Sequence, residues 1–244
     1  MSGQTLLSTM FDTNNDIIIP WHTGDDDLDQ IHPNTNACPR LKTVSKAALA
    51  STNWTSYSTS PTVVNMTNQL NSIFGKGAWN WADNLDCMMS TVCTGRQIAT
   101  IGPAMTQDLF NSAVNYSVKQ YATKALYNDS LYSKLGVGTV AYDVRTRIAA
   151  VVNTTTYYKF VLYSGHDSTL MPFLAAVLGS NWDQQWAPYA SMVSIELYSS
   201  STPGGPEMFR MIYNGKAQRV PGCSAAGLCN VSFLLNALGF KYFD

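Results

Sequence analysis

Two apolar runs of different period meet at Tyr163-Ser-Gly-His-Asp-Ser-Thr-Leu170, and this junction limits what the chain can fold into more than any other stretch. Upstream, residues 157–163 form a continuous β-favouring run. Downstream, Leu170, Phe173, Leu174, Val177 and Leu178 recur at helical spacing until Gly179 stops them. The order strand, turn, helix follows. Ser168 is the expected N-cap, and Pro172 lies near enough to the helix start to forfeit little hydrogen bonding. Before the junction, Val137, Val140, Ala141, Val144, Ile148, Val151 and Val152 share one helical face, so a helix is expected over residues 136–152. Helix, strand and helix in succession predict a parallel strand, beyond whose carboxyl end ligands bind in α/β sheets. His166 and Asp167 stand at that end, where the following helix offers free N–H groups and its positive dipole end to an anion. The plain structural alternative is that Asp167 only caps the helix while His166 packs under a loop.

The remaining segments sort by the same logic. Asp16-Ile-Ile-Ile-Pro20 reads as a short buried strand stopped by proline, and residues 21–39 as a long ordered loop. From Leu41 to Gln120 the chain is polar and carries helical patterns such as Leu109, Phe110, Ala113, Val114, Val118 and Tyr121. Two further strands are expected, Met192 to Tyr198 and Met208 to Tyr213, with Asn214-Gly215 as a tight turn. The fold class read from this is α/β, with a mixed, mainly parallel sheet flanked by helices. Residues 1–40 and 133–244 would form the α/β core portion, and residues 41–132 a mostly helical cap.

Composition excludes several function classes. No apolar run approaches the roughly 20 residues of a spanning helix, and a net charge of -1 gives no surplus to hold nucleic acid or an anionic membrane. No Gly-x-Ser-x-Gly elbow is present, and Asp25-Asp-Asp-Leu-Asp29 lacks the alternating ligands and terminal Glu of a calcium loop. No metal or cofactor is expected. Trp54, Trp79 and Trp81 suit either a sugar or partner surface or aromatic core packing. Sequons at Asn53, Asn65, Asn115, Asn128, Asn153 and Asn230, with the five cysteines Cys38, Cys87, Cys93, Cys223 and Cys229, point to a secretory route. Spacing alone suggests a Cys87–Cys93 bridge.

Tyr163-Ser-Gly-His-Asp-Ser-Thr-Leu170, then Pro188-Tyr-Ala-Ser191 leading into Ile195-Glu-Leu-Tyr198, then Arg210-Met-Ile-Tyr-Asn-Gly215 and Val220-Pro-Gly-Cys223, resemble the C-terminal part of the histidine acid phosphatases. Ile19-Pro-Trp-His-Thr23 followed by Asn36-Ala-Cys-Pro-Arg40 is similar to a loop of the same family. The resemblance implies a mixed α/β core with a helical cap, a small-molecule phosphate monoester as substrate, and a lysosomal, vacuolar or secreted location. It also implies a Cys223–Cys229 bridge, His166 as the phosphate-contacting histidine, and Asp167 as the proton donor. A homodimer is allowed. The family's nucleophile lies in an Arg-His-Gly-x-Arg motif near its N-terminus, and no such motif occurs here; His22 precedes Thr23 and His32 precedes Pro33, neither with an arginine before it. Without that nucleophile and the clamping arginines, no phosphohistidine can form and transferred charge is less well stabilised. The opening residues also lack the basic and apolar regions of a signal peptide. The expectation is a chain incomplete at its N-terminus relative to the family and inactive or nearly so by itself. The rival reading is a non-catalytic protein that binds a phosphorylated ligand or a partner.

Overall fold

The computed structural model of the chain describes residues 2–11, 22–24, 29–75, 83–153, 159–200, 205 and 207–241. Its helices are α1 (Ser2–Met10), α2 (Arg40–Leu49), α3 (Thr52–Ser58), α4 (Pro61–Phe74), α5 (Asp83–Cys93), α6 (Gln107–Val152), α7 (Asp167–Leu178) and α8 (Val231–Ala237). Its strands are β1 (Val193–Tyr198), β2 (Met208–Tyr213), β3 (Lys216–Ala217) and β4 (Cys229–Asn230). The chain divides into two compact units, Ser45–Lys124 and the pair Met1–Val44 with Ala125–Asp244.

The Ser45–Lys124 unit is helical because its termini are well marked and its apolar residues recur on one face. The Ser51 hydroxyl accepts from the Trp54 N–H to start α3, Pro61 opens α4 where a missing N–H is harmless, and Thr106 accepts from the Leu109 N–H to start α6. Val63, Met66 and Leu70 of α4, Met88 of α5, and Leu109, Phe110, Ala113 and Tyr116 of α6 then close around Trp54. Trp54 is tilted against Tyr57 and Tyr116 at ring distances of 5.6 and 5.1 Å. Core packing is therefore the role of Trp54; Trp79 and Trp81 lie outside the described residues, as does the expected strand at residues 16–20.

Cys87 and Cys93 are both free and exposed, which corrects the bridge suggested by their spacing. Both sit on α5. Six residues of α-helix separate two positions by about 9 Å along the axis, beyond the roughly 7 Å Cα limit for a disulfide.

In the other unit, α6 runs through and beyond the helix expected at residues 136–152 but is interrupted. Tyr127 leaves helical geometry, and Asn128, Asp129 and Ser130 turn left-handed at φ 49, 56 and 59°. The buried Ser130 hydroxyl donates to the Ala175 carbonyl on α7 at 2.9 Å, and Ser133 donates to the Ala125 carbonyl at 2.8 Å. Helix α7 is enclosed nearly all round: Thr169 and every residue from Met171 to Leu178 are buried. Pro172 occupies its sixth position, past the first turn, so it forfeits one intrahelical bond.

The sheet differs from expectation in direction. Strand β2 pairs antiparallel with β1 along its length, Val193 opposite Tyr213 and Tyr198 opposite Met208. On its other edge β2 pairs antiparallel with β3 at Ile212–Tyr213 and with β4 at Met208–Phe209. A parallel pair needs a crossover of about a dozen residues or more, usually a helix, whereas Asn214-Gly215 alone joins β2 to β3, both at positive φ, 46 and 78°. Among the described residues, 159–166 contain no strand, so the strand expected before the junction is absent there. Phe209, Met211 and Tyr213 alternate to the buried side of β2, and α8 packs against β2, β4 and α7. A disulfide joins Cys223 to Cys229.

Trp54→Ala should lower the unfolding free energy by about 3–5 kcal/mol, the range for emptying a large aromatic site; urea denaturation followed by circular dichroism checks this. Reducing Cys223–Cys229 should cost about 2 kcal/mol, as a six-residue separation closes only a small loop. Non-reducing peptide mapping should find that bridge and leave Cys38, Cys87 and Cys93 open to alkylation.

Candidate functional site

His166 is the N-cap of α7, in extended geometry at φ -119° and ψ 173°, and Asp167 is the first helical residue. The expected cap, Ser168, thus lies two positions inside the cap found. The Thr169 hydroxyl accepts the His166 N–H at 3.0 Å, and the His166 carbonyl accepts the Thr169 and Leu170 N–H groups. A Cβ on Gly165 would collide with Thr169 Oγ1, so the residue before the histidine must be small for this cap to close. The cap holds the His166 backbone while its side chain stays exposed.

Asp167 is half-buried, and both carboxyl oxygens are engaged. Oδ1 accepts the Ser168 N–H at 2.6 Å and Oδ2 accepts the Trp186 Nε1–H at 2.7 Å. Trp186 comes from the loop between α7 and β1, and sequence reading did not find it, because an isolated tryptophan in a polar loop carries no periodic signal. The arrangement presents Asp167 as an acceptor.

Two histidines meet here. The His32 and His166 rings form a T-shaped pair, with centroids 5.6 Å apart and planes at 89°. Sequence reading had set His32 aside because it lacks a flanking arginine, a criterion for a nucleophile that says nothing of proximity. The structure brings His32, His166, Asp167 and Trp186 to the start of α7.

The segment leading to His166 is held from α6. The Tyr163 hydroxyl donates to Asp143 Oδ2, and Arg147 Nε donates to the same oxygen at 2.8 Å. Tyr163 thus ties residues 159–165 to α6, while the Phe160 and Val161 side chains beside it are exposed. Burial acts to raise the Asp143 carboxyl, but the hydrogen bonds from Arg147 and Tyr163, with the Arg147 charge, outweigh it and hold the group below its ordinary value. Burial and the bond to Asp143 push the Tyr163 phenol up. A depressed carboxyl contributes stability above its unfolded value and loses it as pH falls through the folded one.

Glu196 and Arg210, both in segments quoted above, are direct cross-strand partners. Arg210 Nη2 lies 2.7 Å from Glu196 Oε2, which also accepts the Tyr198 hydroxyl at 2.6 Å. The pair is exposed enough that its role is strand register rather than stability. No group of three or more metal-ligating side chains occurs among the described residues.

The profile of the histidine phosphatase superfamily (branch 2) matches residues 1–214. Counting factor 60 of Dictyostelium discoideum is 26% identical over 207 residues, 84% of this chain and 47% of that protein. Lysophosphatidic acid phosphatase type 6 of Mus musculus is 33% identical over 110 residues, 43% of this chain and 25% of that protein. Lysosomal acid phosphatase of Bos taurus is 29% identical over 105 residues, 41% of this chain and 24% of that protein. The chain spans less than half the length of these relatives.

Asp143→Asn should flatten the acid side of the stability curve. Between about pH 5 and about pH 3, around the carboxylate range, the wild-type melting temperature should fall further than that of the variant. Tyr163→Phe should speed chymotryptic cleavage at Phe160 several-fold without moving the melting temperature by more than about 3 °C, since one partly exposed hydrogen bond contributes little.

Proposed function

Since the chain belongs to the histidine phosphatase superfamily (branch 2), we propose that the start of α7 is a phosphate-monoester site. The observation that carries this reading is His166 and Asp167 side by side at the N-terminus of a twelve-residue helix inside the family match. The positive end of the helix dipole favours an oxyanion at such a position. His166, exposed beside that terminus, donates to a phosphoryl oxygen. Where an attacking group outside this segment bonds to phosphorus as the P–O ester bond breaks, Asp167, once protonated, would give its proton to the departing ester oxygen and return to the carboxylate that Ser168 and Trp186 already stabilise. Small-molecule phosphate monoesters are the substrate class. The residues 41–132 expected as a helical cap contain the helical Ser45–Lys124 unit. A lumenal or secreted location fits the sequons, the Cys223–Cys229 bridge and the name of the bovine relative.

The sequence contains no Arg-His-Gly-x-Arg segment to supply an attacking histidine, so the 244-residue chain should bind phosphate groups and turn them over poorly or not at all. That absence favours, as the second reading, a protein that works by binding a phosphorylated ligand. A p-nitrophenyl phosphate assay at acid pH separates the two. The expected result is no turnover above background together with saturable phosphate binding that His166→Ala abolishes. Turnover in the range of an intact family enzyme, lost in His166→Ala, would show that this chain carries its own nucleophile. In a complete homologous enzyme, replacing the aspartate that matches Asp167 by asparagine should slow esters with poor leaving groups far more than esters with good ones. Equal slowing would make the residue a helix cap only.

A further inference from the structure

The loop that carries His32 is built to hold one shape. Asp29 Oδ1 accepts the Ile31 N–H at 2.9 Å, and Asn34 Nδ2 donates to the Asp29 carbonyl at 3.0 Å. Asn34 Oδ1 accepts the Asn36 N–H at 2.9 Å, and the Asn34 carbonyl accepts the Cys38 N–H at 2.9 Å. The loop is also seated on α6. The Thr139 hydroxyl donates to the Gln30 carbonyl at 3.3 Å, and a Cβ on Gly136 would stand only 2.6 Å from Pro33 Cγ, so glycine leaves the space that Pro33 fills. His32 follows from these constraints. Its ring is delivered to His166 by a loop with little freedom to withdraw it.

The ring nitrogens of His32 are not equivalent. Nδ1 is sealed from water and has no hydrogen-bond partner. A sealed N–H without an acceptor is a rarer and costlier arrangement than a bare lone pair, so the neutral ring carries its proton on Nε2. Nε2–H is then a donor in both the neutral and the charged imidazole. Among the described residues no hydrogen bond joins it to an acceptor: Asp167 takes Ser168 and Trp186, and Asp29 Oδ1 takes Ile31. A donor without an acceptor, in a T-shaped pair with a second histidine at a helix N-terminus, matches a ligand made of acceptors.

We propose that His32 is a second imidazole ligand of the phosphoryl group, so that a tetrahedral oxyanion at the start of α7 is held by His166 and by His32 Nε2–H together. This rests on the phosphate-monoester reading above. It assigns His32 to oxyanion recognition and not to nucleophilic attack, and it explains why a loop remote in sequence is locked on α6 through Gly136 and Thr139.

Histidine labelled with 13C at Cε1 tests this in the 244-residue chain, the resonances being assigned from the His22→Gln, His32→Gln and His166→Gln variants. Inorganic phosphate is titrated at fixed pH and ionic strength. The His32 and His166 signals should move along one saturation curve. His32→Gln should weaken phosphate binding about tenfold, the loss of one hydrogen bond to a charged group. Gly136→Ala, which keeps the imidazole but displaces Pro33, should weaken it by a smaller factor. If phosphate moves only His166 and binds His32→Gln as tightly as wild type, the assignment of His32 is wrong while the phosphate site stands. If neither ring responds, both readings fail. Should His32→Gln not fold, the wild-type titration still decides, because a stationary His32 signal beside a moving His166 overturns the proposal.

Discussion

The enclosure of α7 is the constraint from which the rest of its unit takes its geometry. A helix buried on nearly every side has no solvent face along which to slide or rotate, since any register shift would press side chains into neighbours packed at crystal-like density. The Ser130 hydroxyl adds a directional bond to the Ala175 carbonyl, and α8 closes another approach. Its N-terminus is therefore fixed by the core and not by the loop that precedes it. That loop, residues 159–165, has few bonds of its own, yet the histidine at its end occupies a defined cap position because Thr169 receives its N–H.

Where sequence reading succeeded, a local period carried the information. Leu170, Phe173, Leu174 and Val177 announced α7, because side-chain period follows from backbone geometry alone. Sheet direction failed because the parallel reading rested on helix, strand and helix in succession, and residues 159–166 form no strand; the length of the connections, which antiparallel strands alone can keep short, was the better guide. The Cys87–Cys93 bridge failed for a related reason. Spacing along the chain becomes a distance only once the element is known, and a helix carries those two thiols apart. The phosphatase family was legible from short segments around His166 and Arg210, and the profile match agrees with it.

The convergence of His32, Trp186 and the Asp143–Arg147–Tyr163 group could not be read in this way. Each arrives from a different part of the chain, and what brings them together is the fit of Pro33 against Gly136 and of α7 within its core. These are tertiary facts without a one-dimensional pattern. They also reveal a tension in the chemistry of the start of α7. Asp167 accepts from two N–H donors, whereas the proposed role asks the same group to give a proton.

The interruption of α6 bears on which sequences could replace this one. Three consecutive left-handed residues exclude side chains branched at Cβ, each of which would add roughly 1–2 kcal/mol of steric penalty, and they favour glycine, asparagine and aspartate. Ser130 meets a second demand at the same site, because its hydroxyl must reach Ala175. A randomised library over residues 128–130, selected only for folded protein, would then drift toward glycine at the first two positions and hold serine at the third. Such an asymmetric residue bias would mark the break without any coordinates.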